Sequence, residues 1–70
     1  MSHPLKTYRA ANDKTLVAFA GEVGTTASAI SRIENGKWAP TPKLAIKIEE
    51  VTGGQVARHM LRPDLWDKPL

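Results

Sequence analysis

The sequence predicts an all-α fold of four to five short helices. Three observations carry this. Apolar residues recur at helical spacing in four successive segments. Each segment is bracketed by residues that start or stop helices, threonine or proline in front and glycine or asparagine behind. No stretch alternates polar and apolar residues as a strand would. Short helices with one apolar stripe each must bury those stripes against one another, which makes a bundle.

The elements follow in order. Residues 4–12 carry Leu5 and Tyr8 at i, i+3, and Pro4 fits the first turn, where its missing N–H costs nothing. Asn12-Asp13 reads as a turn. Thr15 is a suitable N-cap for a second helix, with Leu16, Phe19, Ala20 and Val23 forming a stripe that Gly24 ends. Thr26 caps a third helix, whose inward residues are Ile30 and Ile33 and which Asn35-Gly36 closes. The loop Lys37-Trp38-Ala39-Pro40 leads to Thr41 as the next cap and Pro42 at the first helical position. Leu44, Ala45, Ile48 and Val51 form the fourth stripe, stopped by Gly53-Gly54. A short fifth turn is expected around 57–61, and Pro63 ends it. One domain over 1–62 and a tail over 63–70 is the expected organisation. The predicted core is Leu16, Phe19, Ala20, Val23, Ile30, Ile33, Leu44, Ile48 and Val51.

Bulk properties narrow the function. A chain of 70 residues holds one domain, and a core this small yields only a few kcal/mol of net stability. With no cysteine there is no disulfide and no thiolate metal site. His3 and His59 lie far apart and lack the i, i+4 partner of a helical zinc motif, so no metal is expected. The start lacks the apolar region of a signal peptide, and no run of about 18 apolar residues could span a bilayer. A cytoplasmic address without membrane contact is the expectation. Ten Lys+Arg against seven Asp+Glu give a net charge of +3 and a pI near 9.6, a balance that suits an anionic partner. No Ser/His/Asp or Cys/His constellation is present. Gly21-Glu22-Val23-Gly24 and Gly53-Gly54 have no strand before them to make a phosphate cradle. Neither catalysis, nor a cofactor, nor a small-molecule ligand is expected.

The informative stretch is 15–36. Two short helices are joined by a tight turn containing Gly24, and Ala20 is small where the third helix must cross the second. That is the geometry of a helix-turn-helix, whose second helix enters the major groove of DNA. The outward residues of that helix, Ala27, Ser28, Ser31 and Arg32, are small or polar, and none is acidic. Serine can donate to or accept from base edges, arginine can take guanine O6 and N7 together, and an alanine methyl can meet a thymine methyl. Apart from Glu34, the charged residues from 25 to 47 are all cations, Arg32, Lys37, Lys43 and Lys47, which fits a phosphate track.

The run Val23-Gly24-Thr25-Thr26-Ala27-Ser28-Ala29-Ile30-Ser31-Arg32-Ile33-Glu34-Asn35-Gly36-Lys37 resembles the core of the Cro/CI-type, XRE-like helix-turn-helix family. That family holds phage repressors and bacterial regulators. Ile30-Ser31-Arg32-Ile33-Glu34-Asn35-Gly36 is its most specific part, and the likeness extends over about 4–62. The tail Leu61-Arg62-Pro63-Asp64-Leu65-Trp66 is similar to that of small prophage Cro-like or YdaS-antitoxin-like members. The resemblance implies a lambda-repressor-like DNA-binding bundle in which Ala27, Ser28 and Arg32 face the bases. It implies backbone contacts from Asn35 and Lys37, and from Thr26, which also caps the recognition helix. It further implies an ion pair between Arg9 and Glu34, joining the first helix to the end of the third. Leu16 stands where the family often has a glutamine that grips the backbone, a bond leucine cannot make. Lys14 stands where the family usually has an apolar residue.

Two tryptophans are left. Trp38 either lies against the sugar-phosphate backbone or covers the edge of the core. Val56, Met60, Leu61, Leu65, Trp66 and Leu70 make the end of the chain apolar, and exposed apolar patches mark interfaces. Leu65 and Trp66 are thus expected as the dimer contact, the rival being that Trp66 folds back on its own subunit. The expected function is a sequence-specific regulator of transcription, a Cro-like repressor or autoregulator. As a homodimer it would bind a pseudo-palindromic double-stranded operator. The alternative is an antitoxin that binds a toxin and its own promoter.

Overall fold

The computed structural model describes residues 3–67. Five helices follow one another: α1 (Pro4–Ala11), α2 (Leu16–Val23), α3 (Ala27–Glu34), α4 (Pro42–Val51) and α5 (Arg58–Leu61), with no strand among the described residues. The long helices begin on side-chain caps. The hydroxyls of Thr15, Thr26 and Thr41 accept from the N–H groups of Ala18, Ala29 and Leu44 at 3.0, 3.2 and 3.2 Å, each satisfying an N–H the helix leaves unpaired. The cap of α1 is His3, whose Nδ1 accepts from the Leu5 N–H at 3.0 Å. No hydroxyl caps α5. Instead the Glu49 carboxylate of α4 accepts from the Arg58 N–H at 3.0 Å.

Gly24 ends α2 at φ +77°, a left-handed conformation that a Cβ disfavours. It lets the Thr25 N–H bond back to the Ala20 carbonyl at 2.9 Å and turns the chain directly into α3. Gly36, at φ +71°, does the same for α3, with the Lys37 N–H on the Arg32 carbonyl at 2.9 Å.

The core comprises Leu5, Phe19, Ala20, Val23, Ile30, Ile33, Ala45, Ile48, Val56 and Leu61. Tyr8 meets Phe19 edge-on at 6.0 Å between ring centroids, a favourable arrangement for the two quadrupoles. Leu16, Leu44 and Val51, expected as core, are half-buried at its rim. Their place inside is taken from α1, α5 and the turn before α5. Ala20, almost fully buried in α2, allows α3 its close approach.

The end of the chain departs from expectation. Val56 and Leu61, expected in an exposed patch, are buried. Gly53 and Gly54, both at positive φ, turn the chain back after α4. The buried Thr52 hydroxyl pins that reversal by accepting from the Val56 N–H at 3.1 Å, so α5 is laid on α4 with its apolar side inward. The segment 63–66 forms a further turn on the bundle, with the N–H groups of Leu65 and Trp66 on the Arg62 carbonyl at 3.0 and 3.2 Å. Trp66 is half-buried against the core of its own chain, with the Arg58 guanidinium 5.5 Å from its ring centroid, as cation–π attraction favours. Met60 and Leu65 stay 45% and 46% exposed. Leu70 lies outside the described residues, as do 68 and 69 of the expected tail.

Candidate nucleic-acid interface

The outward face of α3 is set by its inward one. Ile30 and Ile33 are locked in the core, and at 3.6 residues per turn that leaves Ser28 and Arg32 exposed, flanked by half-exposed Ala27 and Ser31. Arg32 is the longest side chain on this face. The predicted base-facing residues thus lie together on one surface. Of the residues expected at the DNA backbone, Thr26, Asn35, Lys37, Trp38 and Lys43 are all exposed. Thr26 stands before α3, Asn35, Lys37 and Trp38 follow it, and Lys43 is in the first turn of α4. The Asn35 amide is partly engaged, since its Nδ2 donates to the Ser31 carbonyl at 2.8 Å and closes the end of α3.

Ion pairing sorts the charges. Arg9 Nε and Nη2 donate to the two oxygens of Glu34 at 2.8 and 3.1 Å, and Nη1 donates to the Lys14 carbonyl at 3.0 Å. The two side chains are 19% and 5% exposed. The hydrogen bond to Glu34 raises the Arg9 pKa beyond its already high value. The one acid of α3 is thereby neutralised from behind. Lys14, at the position where an apolar residue was expected, pairs with Glu22 at 2.7 Å; that bond raises its pKa. Arg58 is bound to Glu49 and Arg62 to Asp64; the Arg58 backbone N–H, and after it the guanidinium, hold the Glu49 carboxyl below its ordinary range, as the Arg62 guanidinium does that of Asp64. Among the described residues, Arg32, Lys37, Lys43 and Lys47 enter no ion pair. Lys6 on α1 also enters none; the other unpaired positive charge among the described residues lies on α3, the loop after it and α4, as an anion-binding track requires.

Trp38 projects from that loop, 42% exposed. On one side is a groove of about 790 Å³ between the end of α2 and α4, reaching Val23, Leu44 and Lys47. On the other is a hollow of about 310 Å³ lined by His3, Ile33, Pro40 and Leu61. The side chain thus borders both spaces.

Sequence reasoning missed the Glu49–Arg58–Trp66 chain, the Arg62–Asp64 pair and the His3 cap. The first two join residues across turns that no local pattern predicts. The third was legible in principle, as a polar side chain directly before a proline at the first helical position.

A helix-turn-helix whose second helix turns Arg32 outward and has its one acid, Glu34, paired behind it defines a DNA-binding module. The helix-turn-helix family profile matches residues 5–57, and the chain belongs to that family, in its Cro/CI-type, XRE-like form. It is similar to an HTH-type transcriptional regulator of Methanocaldococcus jannaschii, at 38% identity over 56 residues, which is 80% of this chain and 85% of the relative. No solved structure matches it significantly. No helix among the described residues is long and apolar enough to cross a membrane.

Proposed function

We propose that this chain is a sequence-specific regulator of transcription that acts in the cytoplasm. It binds double-stranded DNA as a homodimer and works as a Cro-like repressor or autoregulator. The observation that carries the reading is the unpaired Arg32 on an α3 face without free acid, bordered by unpaired Lys37, Lys43 and Lys47. Ala27, Ser28, Ser31 and Arg32 read base edges, Arg32 taking a guanine. Thr26, Asn35, Lys37, Trp38 and Lys43 hold the phosphates and set the register. The likeness to a protein named a transcriptional regulator supports the regulatory role.

One reading head touches only a few base pairs, so useful specificity requires two. Met60 and Leu65 are the exposed apolar side chains beside α5. With the free edge of Trp66 they form the contact with a second copy. Two-fold symmetry then matches half-sites about 34–36 Å apart. The antitoxin alternative needs a tail free to dock on a toxin, and the packing of Trp66 on its own chain favours the regulator instead.

The test is selection of bound duplexes from random DNA by the purified chain. The reading expects a pseudo-palindrome with guanine in each half-site. Recovery of unrelated sequences in every round would refute it.

A further inference from the structure

The loop from α3 to α4 is held mainly at its ends. At one end the Lys37 N–H is held by Arg32, and at the other the Thr41 carbonyl accepts from the Ala45 N–H at 2.9 Å. Between these anchors, one hydrogen bond reaches it from another element among the described residues. Arg62 Nη1 donates to the Pro40 carbonyl at 2.9 Å, across 22 positions of sequence. The guanidinium is aimed there by Asp64, whose carboxylate takes Nε at 3.0 Å and Nη2 at 2.8 Å. This planar two-point grip fixes the fork and leaves Nη1 for the loop. Pro40 is itself fully buried and fixes the far end of the loop, while Lys37, Trp38 and Ala39 before it are exposed.

We propose that Arg62 is a positioning residue for DNA binding. It ties the segment after α5 to the loop and so holds Lys37 and Trp38 against the phosphate backbone without touching DNA. The proposal rests on the DNA-binding reading above.

The rival role for Arg62 is local, holding the 63–66 turn alone. Arg62→Gln, too short to reach both Asp64 and Pro40, separates the two in the full chain. Corrected for the folded fraction in a urea melt, it is expected to weaken binding to the selected duplex. The slope of log affinity against log salt should fall by about one, the signature of one lost phosphate contact. In a Lys37→Ala background the substitution should add little, because the contact it supports is already gone. In a Trp66→Phe background, acrylamide quenching of Trp38 should rise on Arg62→Gln. If Arg62→Gln does not fold, Asp64→Asn at its exposed site carries the test and must move slope and quenching in the same directions. Should Lys37→Ala lower the slope while the Arg62 or Asp64 variant leaves slope and affinity unchanged, the positioning role alone is overturned. If the wild-type chain binds no duplex, or Lys37→Ala leaves the slope unchanged, the reading of the loop fails and takes the proposal with it.

Discussion

Arg9 and Glu34 show how one pair of side chains serves both stability and function. The Glu34 carboxylate is almost fully buried, and both its oxygens are bonded by the guanidinium. Left alone, it would place a negative charge at the end of the helix that, in the proposed reading, approaches DNA. Paired, it joins α1 to α3 and leaves the outward face cationic. Removing one partner of a buried pair costs far more than the pair contributes, because the other is stranded. Glu34→Ala leaves the cation, which the Lys14 carbonyl and solvent partly satisfy. The expected loss is therefore toward the lower end of about 3–5 kcal/mol in a urea melt. A loss below about 0.5 kcal/mol would mean the pair behaves as an exposed one.

The elements were the most legible level in the sequence, because their signals are local. A threonine at N-cap contacts an amide three residues on, and a positive-φ glycine acts within one turn. Thr15, Thr26, Thr41, Gly24 and Gly36 could therefore be read without knowing the fold. Half of the base-facing surface came from the same logic, since fixing Ile30 and Ile33 inward fixes Ser28 and Arg32 outward. The burial of Val56 and Leu61 was not legible, because it depends on a reversal at Gly53-Gly54 that aims α5 back at α4. The His3 cap ties the start of α1 to pH. Nδ1 can accept from Leu5 only while the imidazole is neutral. Burial lowers the His3 pKa below its ordinary 6.5, against the smaller opposing pull of Glu34. The unfolded chain then binds the proton more readily than the folded one. The contribution to stability is full above pH 6.5 and is lost as pH falls past that value towards the folded pKa. Chemical denaturation between pH 7.5 and 5, conditions set about the ordinary His value, should show this fall. His3→Asn, a capping residue that does not titrate, should flatten it. Equal pH dependence in the two proteins would contradict the cap's role.

The molecule measures 31 × 23 × 21 Å, no more than the spacing of about 34–36 Å between half-sites, so the proposed reading takes a second copy. The apolar end of the chain was expected to supply the dimer contact as a free patch. Instead it splits, with Val56, Leu61 and part of Trp66 serving the chain's own core and Met60 and Leu65 left outside. Truncating the tail would therefore damage the fold as well as any interface. A surface change is the cleaner probe. Leu65→Lys should leave the melt within about 0.5 kcal/mol, as surface substitutions usually do. It should convert a sedimenting dimer to a folded monomer that binds half-sites without cooperativity. A dimer that persists in Leu65→Lys would place the contact elsewhere.

In the proposed reading, α3 recognises sequence through Arg32. The most direct measurement is the affinity of wild type and Arg32→Ala for the selected operator and for every single-base-pair variant of one half-site, at one fixed salt concentration. Arg32→Ala is expected to cost about 1–3 kcal/mol on the operator and to abolish discrimination at one guanine while leaving the other positions as they were. An equal loss on all the variants, with the base preferences intact, would show that Arg32 grips phosphate and would contradict the claim.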